Sequence, residues 1–101
     1  GRINDSAKDA TYRRNAQNLA SVFASAQAAG VDFSAKSQKE DAVIKAIIAG
    51  DTVDDTDSPF HDTYFGVPGL DAKEAVSNTD GAGKYLTWDN DSKQLLYTGG
   101  Q

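Results

Sequence analysis

The chain has no cysteine, one histidine, one tryptophan and two prolines. The absence of cysteine excludes disulfides, thiol catalysis and thiolate-ligated metals, and by itself assigns no compartment. With one histidine, His61, and no cysteine, a transition-metal site of the usual nitrogen and sulfur kind lacks its ligands. Basic residues are also few: 10 Lys and Arg stand against 15 Asp and Glu, for a net charge of −5. That balance argues against a nucleic-acid partner, whose phosphates are met by clustered cations. Arg13-Arg14 is the one adjacent basic pair and reads as part of a solvated helix face. No run of about 18 apolar residues is present, so no stretch of the sequence reads as a transmembrane helix, and no signal peptide is visible. The chain opens in polar, helix-like sequence, which carries the expectation that a leading segment has been removed ahead of Gly1.

What is present is enough for one small domain of 101 residues with a thin core. Residues 4–29 read as a long helix. Asn4, Asp5 or Ser6 are candidate caps, and Ser6 with Asp9 forms a loose capping box. Tyr12, Ala16, Leu19, Phe23 and Ala26 recur at helical spacing beside Val22, and Gly30 follows as a C-terminal cap. At 1.5 Å per residue such a helix is about 35–40 Å long, more than a compact domain of this size requires, so one end is expected to project. Ala16, Ala20, Ala24 and Ala28 form a row of methyl groups spaced by four, read either as helix propensity or as a close-contact surface. After Val31-Asp32-Phe33 and a polar link, residues 37–49 read as a second helix. Ser37 and Glu40 supply a capping box, and Val43, Ile44, Ile47 and Ile48 one apolar face.

Residues 51–62 read as an acidic loop carrying Asp51, Asp54, Asp55 and Asp57. Strand signals follow at Thr63–Val67, Lys84–Trp88 and Gln94–Thr98, with Asp71 capping a short helical turn through Ala75 or Val76. The last two strands are expected to pair as a hairpin, and the tail Gly99-Gly100-Gln101 to fray. Helices first and strands last predict an α+β fold: a long and a short helix packed on a three-stranded antiparallel sheet covering residues 63–98.

Chemistry is hard to place on these residues. His61 sits among turn formers, and no serine lies in an elbow motif. Asp51, Asp54, Asp55 and Asp57, or Asp89 and Asp91, offer oxygen ligands for calcium, but neither group matches an EF-hand loop. A flexible acidic loop is the preferred reading, with calcium the one cofactor kept in view. A carboxylate pair for glycoside hydrolysis needs a cleft that so small a core has little room to form. Gly81-Ala82-Gly83 precedes a predicted strand, whereas a phosphate cradle precedes a helix, so it reads as a turn. Tyr64, Tyr85, Trp88 and Tyr97 lie in the predicted strands, where aromatic residues mostly form cross-strand pairs or core. Alternation puts Leu86 and Trp88 on the face expected to be buried, with Tyr85 and Thr87 opposite. No catalytic, cofactor-binding or metal-ligating residue is singled out, and the expectation is that the chain is not an enzyme.

The stretch Arg13-Arg14-Asn15-Ala16-Gln17-Asn18-Leu19-Ala20-Ser21, continuing to Ala26-Gln27-Ala28-Ala29-Gly30, resembles the helix of type IV pilin-like proteins, including type II secretion pseudopilins, just after their apolar N-terminal segment. Val67-Pro68-Gly69-Leu70 and Lys84-Tyr85-Leu86 are similar to later segments of pseudopilin-like chains, and the order of helix, variable region and small sheet is also similar. The resemblance implies a structural filament subunit. An apolar helix ahead of this chain would anchor it in the inner membrane and later line the filament, whose other subunits would be its partners. One face of the long helix would pack on the sheet, and the opposite face, with Lys8, Arg13 and Gln17, would meet neighbours. Without the apolar segment the domain is expected to be a monomer. The alternative is a small cell-envelope or extracellular binding module that uses the aromatic sheet or the acidic loop.

Overall fold

The computed structural model describes residues 2–99, with side chains from Ala7 onward. It is α+β, in the order α1 (Arg2–Ala29), α2 (Glu40–Ala49), β1 (Asp51–Thr52), β2 (Tyr64–Phe65), α3 (Ala72–Ala75), a 3-10 turn (Ala82–Tyr85), β3 (Leu86–Asp89) and β4 (Gln94–Tyr97). The tail residues Gly100 and Gln101 lie outside the described residues.

α1 is already helical at Arg2, so Asn4, Asp5 and Ser6 lie within it rather than capping it. Its C-terminus is a Schellman motif. Gly30 takes φ 105°, its N–H bonds to the Gln27 carbonyl, and the Val31 N–H bonds to the Ala26 carbonyl at 2.8 Å. The inward stripe is Ala16, Leu19, Phe23 and Ala26, each at most 1% exposed. Tyr12 and Val22 flank it half-buried. The alanine row does not stay on one face. Ala16 is buried, Ala20 half-buried, and Ala24 and Ala28 exposed, because four residues at 3.6 per turn advance the direction by about 40° each time.

α2 begins at Glu40, not Ser37. Its N-cap is Lys39, which makes no side-chain capping bond, and the Ser37 hydroxyl instead accepts from the Lys39 N–H at 3.4 Å. The capping box therefore does not form. Val43, Ile44 and Ile47 are fully buried, and Ile48 is half-buried. Gly50 closes the helix at φ 80°, and a Cβ there would overlap the Tyr64 hydroxyl, so this position needs glycine for conformation and for space.

The expected three-stranded sheet is replaced by two two-stranded sheets, β1–β2 and β3–β4, both antiparallel. β2 pairs with β1, which stands nearer in sequence than the C-terminal hairpin. Asp51, at the start of the expected acidic loop, pairs with Phe65, and Thr52 pairs with Tyr64. Val53 extends the pairing through N–H to Thr63 carbonyl and carbonyl to Asp62 N–H bonds, both at 3.0 Å. Val53 is 2% exposed, so this stretch is core as well as loop. The Val67 N–H then bonds to the Ile47 carbonyl and fastens the segment to α2.

The second expected strand starts two residues late. Lys84 and Tyr85 belong to the 3-10 turn, which drives the Tyr85 ring inward to 2% exposure. Strand alternation had placed it on the outer face. Leu86 is buried, and Trp88 is half-buried with its ring edge-on to Phe23, centroids 5.7 Å apart. The Thr98 N–H reaches the Tyr85 carbonyl at 2.8 Å, carrying the hairpin's bonding back onto the turn. Asp71 caps α3 by accepting from the Lys73 N–H. Gly81-Ala82-Gly83 is wholly buried against the end of α3. A Cβ on Gly81 would collide with the Glu74 carbonyl oxygen. These glycines serve close backbone contact.

The core thus gathers α1, α2, the turn and the hairpin around Leu19 and Phe23. Phe23→Ala is expected to lower stability by about 3–5 kcal/mol, and Gly81→Ala by about 1–3 kcal/mol through overpacking against fixed backbone. Ala24→Ser, on the exposed side of the same helix, should stay within about 0.5 kcal/mol. Chemical denaturation of the three variants checks the ranking.

Candidate functional site: the projecting helix and its clamp

The molecule is 52 Å in its longest dimension and 27 by 19 Å across. α1 accounts for the length: 28 residues at 1.5 Å rise give about 42 Å. Between Ala7 and Asn15 no side chain is buried, and the fully buried stripe begins only at Ala16. The turns of α1 ahead of Ala16 therefore bury no side chain fully, although Tyr12 packs half-buried against the core.

One polar cluster ties these turns to the domain. The buried Tyr85 ring presents its hydroxyl to the Asp9 carboxylate, to which it donates. The same carboxylate accepts from Arg13 Nε at 3.1 Å, one helical turn on, and lies 3.8 Å from Lys84 Nζ. Arg13 and Lys84 also stand by the Tyr85 ring, at 5.0 and 5.5 Å from its centroid, within range of cation–π attraction. The hydrogen bond from Tyr85, followed by Arg13 and Lys84, holds the Asp9 carboxyl below its ordinary value. A polar groove of about 300 Å³ opens beside the cluster, with Lys8, Tyr12, Thr79 and Asp80 along it.

Arg13 is exposed on α1, as are Lys8, Gln17, Arg14, Ser21 and Ala24. It also stands by the Tyr85 ring of its own chain, because the 3-10 turn brings that ring to the helix. The clamp escaped sequence reading because its members are 76 residues apart and Tyr85 was read as part of a strand. The i, i+4 spacing of Asp9 and Arg13 was the one available signal.

The other residues considered for chemistry lie apart from this cluster. His61 is exposed, with Nε2 3.4 Å from Asp62 Oδ1. Asp55 accepts from the Asp57 N–H in a local turn, and Asp51 accepts from the adjacent Thr52 N–H within β1. Asp89 accepts from the Ser92 hydroxyl and the Asp91 N–H, which lower its pKa in that order. Among the described residues no three His, Cys, Asp or Glu side chains gather as a metal site. No helix of the described residues is long and apolar enough to cross a membrane. No protein-family model matches the chain, and neither does any curated protein or solved structure.

Because its folded pKa is depressed, the Asp9 carboxylate adds stability above its unfolded value, near 3.8, and this is lost as pH falls through the folded value. Tyr85→Phe should move the Asp9 pKa back up towards 3.8, read by NMR titration of the side-chain carboxyl carbon. Asp9→Asn should flatten the fall of stability as pH drops through and below about 3.8.

Proposed function

We propose that this chain is the folded head of a structural filament subunit of the type IV pilin or type II secretion pseudopilin kind, and that it performs no catalysis. The observation that carries the reading is the use made of α1. Its C-terminal half is an ordinary core helix, whereas its N-terminal turns leave the core and are held at their root by Tyr85 and its neighbours. A helix of this form suits a stalk. Its inner half fixes the orientation of the head, and its free turns carry that orientation into a preceding segment.

In this reading an apolar helix ahead of Arg2 anchors the subunit in the inner membrane before assembly and packs with its equivalents afterwards. The exposed face of α1, with Arg14, Gln17 and Ser21, meets adjacent subunits. The clamp keeps the stalk from bending away from the head under load. No cofactor takes part. The head alone is a monomer at micromolar concentration, because the main assembly element is not in it. The subunit passes from the inner membrane and periplasm into the filament.

The binding-module reading retains one specific support. Phe60 and Tyr64 are 46% and 51% exposed beside the acidic loop. The hairpin's aromatic residues serve it less well, since Tyr85 is in the core and Trp88 leans on Phe23.

Reading the coding region immediately ahead of Arg2 decides between the two. The filament reading expects an apolar segment of about 20 residues behind a short basic leader. Expression from the natural start should then place the protein in the membrane fraction and, with its assembly machinery, in filaments visible by electron microscopy. A start codon directly ahead of the domain, or a cleaved signal peptide with no retained apolar helix, would overturn it.

A further inference from the structure

Between α3 and the 3-10 turn the chain passes through Asp80-Gly81, the one place in the sequence where an Asp or Asn precedes glycine. Asp80 is exposed in a bend outside every helix and strand. Its N–H donates to the Ser77 hydroxyl at 2.9 Å. Among the described residues its carboxylate accepts only from the neighbouring Thr79 hydroxyl, at 3.4 Å, and has no ion pair. It lines the polar groove beside the clamp, so water reaches it. Gly81 has the opposite surroundings. It is buried, and a Cβ there would collide with the Glu74 carbonyl oxygen. The fold thus demands at this position the one residue that leaves its amide nitrogen unshielded by a side chain. The Gly81 carbonyl accepts from the Lys84 N–H at 3.1 Å and opens the 3-10 turn, but the Gly81 N–H has no acceptor among the described residues. A carboxyl group open to water therefore stands next to an unshielded amide nitrogen that no hydrogen bond engages.

We propose that Asp80 is a site of spontaneous isomerisation to isoaspartate in the folded protein. In the first step the Gly81 nitrogen gives up its proton and attacks Cγ of the protonated Asp80 carboxyl. The N–Cγ bond forms, a Cγ–O bond breaks, and one water leaves. The product is a five-membered cyclic imide. In the second step water adds at one of the two imide carbonyls. Attack at Cγ breaks the new bond and restores aspartate. Attack at the α-carbonyl breaks its bond to the Gly81 nitrogen. The main chain then runs through Cβ and Cγ, with the α-carboxylate as the side group. The two steps lose and regain one water, so composition and oxidation state are unchanged.

The isomer carries one extra main-chain atom just ahead of Gly81. That glycine cannot absorb it in place, because its backbone is seated against the Glu74 carbonyl. Gly83 is held in the same way, since a Cβ there would stand 2.8 Å from the Val76 and Ser77 carbonyl oxygens. The displacement passes into Ala82–Tyr85, the turn that carries the Tyr85 hydroxyl to Asp9. Isomerised molecules therefore lose the fit between Tyr85 and α1, and the clamp loosens as the protein ages. The proposal does not depend on the filament reading, and its failure would leave that reading intact.

The test holds the protein for weeks at neutral pH, folded in one sample and unfolded in urea in another. Both are then digested and mapped by mass spectrometry with electron-transfer fragmentation, which separates isoaspartate from aspartate. The expected result is isoaspartate at position 80 of the folded sample, above the level at every other aspartate and preceded by the imide, which lacks one water. Asp80→Glu should abolish the product with an unchanged far-UV spectrum, since its closure needs a six-membered ring and its side chain is outside the core. Asp80→Asn should reach the same imide faster, with ammonia leaving in place of water. In the isomerised fraction, separated by chromatography, the Asp9 carboxyl should titrate closer to 3.8, and amide exchange in residues 82–85 should speed up. Isoaspartate at position 80 in urea alone would show that the fold protects the site and would overturn the proposal. Equal amounts at aspartates not followed by glycine would overturn it too, as would an isomerised fraction whose Asp9 titration and amide exchange match the parent protein.

Discussion

The packing of Leu19 and Phe23 against the hairpin and α2 is the constraint on which the rest of the molecule depends. α1 touches both α2 and the C-terminal segments: the 3-10 turn and β4 lie against it, and α2 contacts it as well. Two short sheets of two strands would not be stable alone. Each apolar side chain of this size, once buried, contributes about 1.5–3 kcal/mol. α2 needs the same support, because its buried Val43, Ile44 and Ile47 are β-branched and weak helix formers.

The division of α1 into a core half and a projecting half has a direct physical cause. Apolar residues at the core spacing run from Ala16 to Ala26, and between Ala7 and Thr11 the sequence offers no large apolar side chain to bury. The helix continues there on propensity and on the polar cluster. Exposed ion pairs contribute little by themselves. The Asp9 cluster does more because it is anchored on a buried ring, and the phenol fixes where the carboxylate must stand. This fixes the direction of the N-terminal turns relative to the core.

The α+β class, the long helix with its Gly30 end, the face of α2 and the antiparallel hairpin of the last two strands were legible in the sequence, although the first of those strands runs over 86–89 rather than 84–88. Each is set by contacts within a few residues: a repeat of three and four, a glycine able to take φ near +105°, a turn between two apolar runs. The boundaries and the sheet assignment were less legible. Ser37-x-x-Glu40 has the letters of a capping box, yet Lys39 takes the cap position. Tyr64-Phe65 has the composition of a strand, but composition does not name a partner, and Asp51-Thr52 lay hidden in what reads as acidic loop. The clamp joins Asp9 and Tyr85, which lie on different elements far apart in sequence, where periodicity carries no information.

By itself the sequence determined what local chemistry can determine: helices where the apolar spacing is helical, turns where glycine and aspartate stand, and too few histidine and cysteine ligands for a transition-metal site of the usual kind. Only the tertiary structure decided that β2 would serve α2 instead of the hairpin, that Tyr85 would turn inward, and that Arg13 would stand by it. Those outcomes depend on which distant segments pair and on how much apolar surface each pairing hides. These are properties of the folded chain as a whole, and no window of neighbouring residues contains them.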